Sequence, residues 1–319
     1  MHLPSTLPPY ARMVCDRRAR WRRHLLDRLF RHTAKRDMSA HADIPTLRAR
    51  QHKFDARFGR VEPQLQRSAV DCAGVEAEWI ALPDSRAERV ILYLHGGAFM
   101  FRFPKTHAAM VGRWCQRLGA RALMVDYRLA PEHPWPAAPA DCHAAYRWLL
   151  AQGIEPRNIV IGGDSAGANL ALATLHRIKA AGEPMPACAV LLSPIVDFTL
   201  SGPSIVSNER RDPIFTVAGL VALRGHYAPP EQFLDPDVSP LFADFQGLPP
   251  LLFQASESEM LRDDSMRAAA KAHACGVAVE LELWEGLPHV FQALPTLPQA
   301  HAALDSIVRF IDARTDWHS

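Results

Sequence analysis

The residues able to do chemistry gather in two glycine-flanked groups, His95-Gly96-Gly97-Ala98-Phe99 and Gly163-Asp164-Ser165-Ala166-Gly167. Ser165 is the candidate nucleophile, and the small residues around it suit a sharp turn in which bulkier neighbours would collide. The first group offers backbone N–H groups to an anion. Together the two groups read as the halves of an acyl-transfer site, in which a serine hydroxyl attacks a carbonyl and the developing oxyanion is held by N–H groups of the loop and of the following helix.

A serine needs a base, and His289 is the best placed of the 15 histidines. It follows the turn Glu285-Gly286-Leu287-Pro288 after the last strand-like run and lies downstream of every candidate acid. A neutral imidazole there can take the Ser165 proton and return it to the leaving alcohol. The carboxylate that orients this imidazole comes from Glu257, Glu259, Asp263 or Asp264. Glu259 is preferred because it precedes a helix whose first turn suits the two aspartates, with Glu257 and Asp263 as alternatives.

These groups need strands to aim them. Residues 90–94 and 159–162 are apolar β-forming runs, and an alanine-rich helix over 166–181 follows Ser165. Strands at 121–126, 187–193, 251–255 and 277–284 alternate with helices at 106–118, 140–151, 263–275 and 298–313, which predicts an α/β fold with a parallel sheet covered on both faces. Ahead of them, 66–72 and 75–82 read as an antiparallel pair turning at Ala73-Gly74. Residues 1–60 are expected to form an N-terminal helical cap segment and 61–319 the catalytic domain, with a second cap segment inserted at about 200–236. Phe99, Met100, Phe101, Phe103, Phe215 and Phe291 lie near the motifs as candidate walls of an acyl pocket.

The chain has 319 residues, 48% hydrophobic and 22% charged, with a net charge of +2, which is too balanced for a dedicated nucleic-acid binder. Basic residues nevertheless crowd the first forty positions. There Leu26, Leu29, Phe30 and Thr33, with Trp21 and Leu25 alongside, give a helix whose apolar stripe is expected to pack on the protein while its basic face stays solvated, with a peripheral membrane contact as the alternative. Six scattered cysteines without a C-x-x-C pair argue against a metal or disulfide framework and fit a reducing compartment. With no signal-like segment and no run of about 18 apolar residues, the protein is expected to be cytoplasmic, without stable membrane insertion.

The chain resembles the hormone-sensitive lipase family, the bacterial family IV esterases of the α/β-hydrolase superfamily. The resemblance rests on the two motifs, on Asp126-Tyr127-Arg128-Leu129-Ala130-Pro131-Glu132-His133-Pro134-Trp135-Pro136-Ala137-Ala138 and on Leu192-Ser193-Pro194-Ile195-Val196-Asp197. It implies an eight-stranded, mostly parallel sheet with a helical cap, and hydrolysis of small carboxylic esters without a cofactor, with Ser165 and His289 at catalytic positions; where the family commonly has Asp-Pro-Leu this chain has Glu259-Met260-Leu261, one carboxylate in place of another. A related amidase or deacetylase, or a non-catalytic ligand-binding member of the fold, would share much of this pattern. Where the family commonly has a third glycine this chain has Ala98, which keeps the backbone donor provided the loop needs no positive φ there. The oxyanion donors are then Gly97, Ala98 and Ala166, with His95 and Gly96 supporting the loop. The resemblance also raises a homodimer through the edge of the last strand, 277–283, where polar residues alternate as on an edge kept soluble.

Overall fold

The computed structural model describes residues 7–37 and 43–317. Its strands are β1 (Ala11–Val14), β2 (Gln66–Asp71), β3 (Glu76–Ala81), β4 (Arg86–Leu94), β5 (Ala120–Val125), β6 (Ile159–Asp164), β7 (Cys188–Leu192), β8 (Leu251–Ser256) and β9 (Val279–Trp284). The helices are α1 (Arg20–His32), α2 (Ala34–Asp37), α3 (Ile44–Phe58), α4 (Pro104–Leu118), α5 (Ala137–Ala151), α6 (Ala166–Ala180), α7 (Ser204–Ser207), α8 (Val217–Tyr227), α9 (Arg262–Ala274) and α10 (Pro298–Asp312).

One nine-stranded sheet runs in the order β1-β9-β8-β7-β6-β4-β5-β3-β2, with β3 antiparallel to both of its neighbours and every other pairing parallel. The central strands carry unbroken apolar runs, Val90–Leu94, Ile159–Ile161 and Ala189–Leu192, because both faces are covered. Along β4, Val90, Leu92 and Leu94 point into the core beneath α5, α6 and α9, while Ile91 and Tyr93 enter the core shared with α4 and α10. The register sets Leu94 beside Gly163, so the loop after β4 and the turn after β6 leave the sheet as neighbours. This is the topological position at which parallel α/β sheets build their sites.

The sheet has nine strands rather than the expected eight, and β9 is not an edge. Residues 11–14, placed by sequence in the helical N-terminal segment, pair with Leu281–Trp284 along its outer side. Glu282, which looked like a solvent-facing edge residue, is buried against Arg12, Gln254 and the Trp284 indole. A dimer built by adding a strand to this side of β9 would have to displace β1. The N-terminal helix also departs from expectation. Leu26 and Phe30 of α1 turn inward and are half-buried, whereas Trp21, Leu25 and Leu29 remain exposed.

Candidate active site

Ser165 sits between β6 and α6 with φ 52° and ψ −116°, a left-handed twist that costs an L-residue about 1–3 kcal/mol. The surrounding fold imposes it: the Ser165 N–H donates to Leu192 O at 2.8 Å, while its carbonyl accepts from Ala168 and Asn169. Gly167 is required because a Cβ there would stand 1.9 Å from the Leu94 carbonyl oxygen.

Beside this turn, Gly97 has φ 127°, and its carbonyl accepts from Met100 at 2.9 Å and Phe101 at 2.8 Å. Ala98 and Phe99 follow at φ 52° and 61°, so position 98 does require a positive φ. Alanine meets that requirement at a cost of about 1–2 kcal/mol, as its Cβ is the smallest that can crowd the carbonyl. Among the described residues the N–H groups of Gly97, Ala98 and Ala166 have no hydrogen-bond partner within the chain.

A buried network fixes the loop that carries them. Asp164 accepts from Gly96 N at 3.0 Å and Tyr93 OH at 2.8 Å, and lies 3.2 Å from His107 Nε2. Burial pushes the Asp164 carboxyl up, but His107 and the donors from Tyr93 and Gly96 outweigh it and hold the group below its ordinary range. Burial likewise opposes charge on His107, and the Asp164 carboxylate overcomes it, raising that imidazole. His95 is driven the other way, to about 3, by burial and then by neighbouring His107, so it stays neutral. Its ring stacks on Tyr127 at 4.2 Å, and the Tyr127 hydroxyl donates to His95 O at 2.6 Å. From α3, Arg48 donates to Met100 O and Ala130 O and pairs with Glu132. The 126–138 segment thus braces the oxyanion loop itself.

On the opposite flank, His289 Nδ1 lies 2.7 Å from Glu259 Oε2, and Ser256 N–H donates to Glu259 Oε1 at 3.0 Å. The backbone after His289 is tied to Ser193, which follows the Leu192 that receives Ser165 N–H, through Val290 N to Ser193 Oγ at 3.3 Å. His289 Nε2 is buried without a partner, and its ring meets the Phe215 edge at 4.8 Å. The other acids are engaged elsewhere. Glu257 forms a two-point pair with Arg211, and Asp263 pairs with Arg262 and accepts from Ser204 N. Asp264 accepts from Val196 N and Asp197 N, with its carboxyl pushed by burial up to about 7. Of the four acids, Glu259 is the one that the structure brings to His289.

Sequence reasoning missed what holds Glu259. Asn208 Nδ2 donates to Glu257 O and Glu259 O, Asp212 accepts from Met260 N at 2.8 Å, and Ser204 Oγ donates to Met260 O. The one local signal was Asp212-Pro213, a turn former whose carboxylate also accepts from Ile214 N and Phe215 N.

A cavity of about 30 Å³ opens beside Ser165, with Phe99, Phe198, Phe215, Leu220 and Leu261 among its walls. Of the aromatic candidates, Phe99 and Phe215 line it. Met100 and Phe101 are core residues, Phe103 faces a groove behind the loop, and Phe291 packs on Trp284. Two larger, open grooves of about 810 and 620 Å³ flank the Arg102–Asp126 ion pair, but Ser165 lines neither.

The family described as having the alpha/beta hydrolase fold matches residues 91–293. An esterase of Acinetobacter venetianus is 41% identical over 250 residues, covering 78% of this chain and 82% of the relative. An acetyl-hydrolase of Streptomyces hygroscopicus is 37% identical over 240 residues, covering 75% and 80%. A crystal structure of an esterase from the bacterial hormone-sensitive lipase family superposes with a TM-score of 0.86 at 37% identity, covering 91% of this chain and 97% of that one. With a sheet, a turn at Ser165 and a loop after β4 that agree with these likenesses, the chain belongs to the bacterial hormone-sensitive lipase family of α/β-hydrolases.

Proposed function

We propose that this chain is a serine carboxylesterase that cleaves short-chain acyl esters through an acyl-enzyme on Ser165. The observation that carries the reading is the pairing of a strained Ser165 with the Glu259–His289 contact at 2.7 Å across a site edged by three unpartnered N–H groups. His289 Nε2 takes the Ser165 proton as Oγ bonds to the ester carbonyl carbon. Glu259 holds the proton on Nδ1 and stabilises the imidazolium. The carbonyl oxygen, now an oxyanion, is received by Gly97, Ala98 and Ala166 N–H groups. The imidazolium protonates the departing alcohol, and the same base then activates water to release the acid.

A cavity of about 30 Å³ beside Ser165 favours short acyl groups over long chains, which agrees with the name of the acetyl-hydrolase relative. Helices α1 to α3 and residues 200–236 act as the cap, while 11–14 belong to the sheet: Arg31 and Lys35 bond to carbonyls of residues 209–212, and Phe215 backs His289. Six free thiols suit a reducing compartment, the cytoplasm.

Ser165→Ala is expected to lower kcat for p-nitrophenyl acetate by about a millionfold and to abolish labelling by a fluorophosphonate. Wild-type turnover in that variant would refute the assignment. Esters and anilides of matched acyl length, run side by side, separate an esterase from an amidase of the same machinery.

A further inference from the structure

Helix α1 is fastened to the molecule largely through arginines. Arg22 donates to Thr296 O at 2.9 Å, Arg23 to Glu285 O at 3.0 Å, and Arg31 to Arg210 O and Arg211 O. The helix therefore lies across the two sides of the loop that bears His289 and against the 209–212 turn. None of its residues is buried.

Its outer face is apolar. Trp21, Leu25 and Leu29 are 65%, 61% and 44% exposed. Spaced by four, they form one stripe about 80° wide on a helix that turns about 100° per residue. Arg28 and His32 fall within or beside that stripe, and Arg17 and Arg20 add exposed charge at its N-terminal end. Among the described residues Arg17, Arg20 and Arg28 have no acidic partner. Asp27, the one acid of α1, lies on the opposite, half-buried side.

We propose that this face docks on the surface of an anionic lipid bilayer. Charge names the occupant that the apolar stripe alone does not. A second copy seated stripe to stripe would oppose two arginine-rich helices, whereas an anionic interface accepts tryptophan and leucine among the upper acyl carbons and arginine at the headgroups. Because α1 crosses the His289 loop, docking sets the rim of the site at the level where water-insoluble esters partition. The inference does not rest on ester hydrolysis, since binding is read without turnover.

The test is cosedimentation of the full chain with phosphatidylcholine vesicles with and without phosphatidylglycerol. Binding is expected with the anionic vesicles and not with the neutral ones, and it should weaken in high salt. The combined Arg17→Ser, Arg20→Ser, Arg28→Ser variant and the combined Trp21→Ser, Leu25→Ser, Leu29→Ser variant should each lower the partition constant roughly a hundredfold. Unchanged hydrolysis of soluble p-nitrophenyl acetate by both variants shows that they fold. Absence of wild-type binding to anionic vesicles, or equal binding to neutral ones, overturns the proposal. So does a concentration-dependent dimer, dissolved by the Trp21 variant, in a protein that ignores vesicles; the stripe would then belong to a second copy.

Discussion

Two imidazole–carboxylate pairs flank Ser165, and they differ in what surrounds them. His289–Glu259 meets at 2.7 Å and His107–Asp164 at 3.2 Å, with all four side chains nearly sealed from solvent. Burial therefore does not tell them apart. Asp164 also binds Tyr93 and the Gly96 N–H, and the His107 ring is enclosed by the rings of Tyr93, His95 and Phe103. That pair is a strut under the oxyanion loop. Glu259 holds only its own loop, through Ser256 N, and passes its other oxygen to an imidazole whose far nitrogen is unpartnered. His107 Nδ1 is unpartnered as well, so an open nitrogen alone does not mark a proton shuttle; what sets His289 apart is its contact with Phe215, which walls the cavity beside Ser165.

The comparison breaks first if the two carboxylates prove interchangeable in kind. Glu259→Gln should lower kcat for p-nitrophenyl acetate by about ten-thousandfold, because an amide no longer fixes the His289 tautomer or stabilises its cation. Its thermal midpoint should move far less than its activity. Asp164→Asn should show the reverse balance. Loss of a buried charge that binds a backbone N–H, a phenol and an imidazole is expected to cost about 3 kcal/mol in denaturant unfolding, and kcat should fall only about ten- to a hundredfold as the Gly96 anchor loosens. Equal activity losses in the two variants would erase the distinction.

The pH dependence of stability sharpens it further. His107 is raised by Asp164, so its contribution is fully present below its unfolded pKa of about 6.5 and is lost as pH rises through the higher folded value. Asp164 is lowered, so its contribution is present above about 3.8 and is lost as pH falls through its lower folded value. The strut is therefore strongest between about pH 4 and 6.5. In thermal melts the advantage of wild type over His107→Gln should be largest in that window and shrink at alkaline pH. An advantage that grew with pH would have the wrong sign.

Which of these features the sequence displayed depends on how local their cause is. Ser165 and the 95–98 loop were legible because glycines and a preceding strand mark them within a few residues. His289 was legible from strand order. Glu259 was preferred from its place ahead of the helix, but what removes Glu257 was not legible, since Arg211 of the inserted segment draws it away. Asp164 stands inside the 163–167 motif, yet its role needs His107 and Tyr93 from other elements. Residues 11–14 are too few to show a strand period, and their pairing with β9 is set by tertiary contact alone. In α1 the spacing picked out Leu26, Leu29, Phe30 and Thr33 as one packed stripe, yet only Leu26 and Phe30 turn inward, because periodicity shows that a helix has apolar positions and not what covers them.

The smallest expected effect concerns Ala98, which sits at φ 52° on the loop that Asp164 anchors. Ala98→Gly removes the left-handed penalty of about 1–2 kcal/mol but gives the unfolded chain more freedom, worth about 0.4–1 kcal/mol in the other direction. The net change in stability is between about 0 and 1.6 kcal/mol, toward the glycine variant. Activity is the more informative readout. If Asp164, Tyr127 and Arg48 hold the loop, the Gly97 and Ala98 N–H groups stay aimed whatever side chain position 98 carries, and kcat changes less than about threefold, under 1 kcal/mol of barrier. If the alanine Cβ itself restricts the loop, glycine lets the donors wander and kcat falls about tenfold or more. The strut would then be only part of what positions the oxyanion donors, and the division of labour between the two pairs would need a third member.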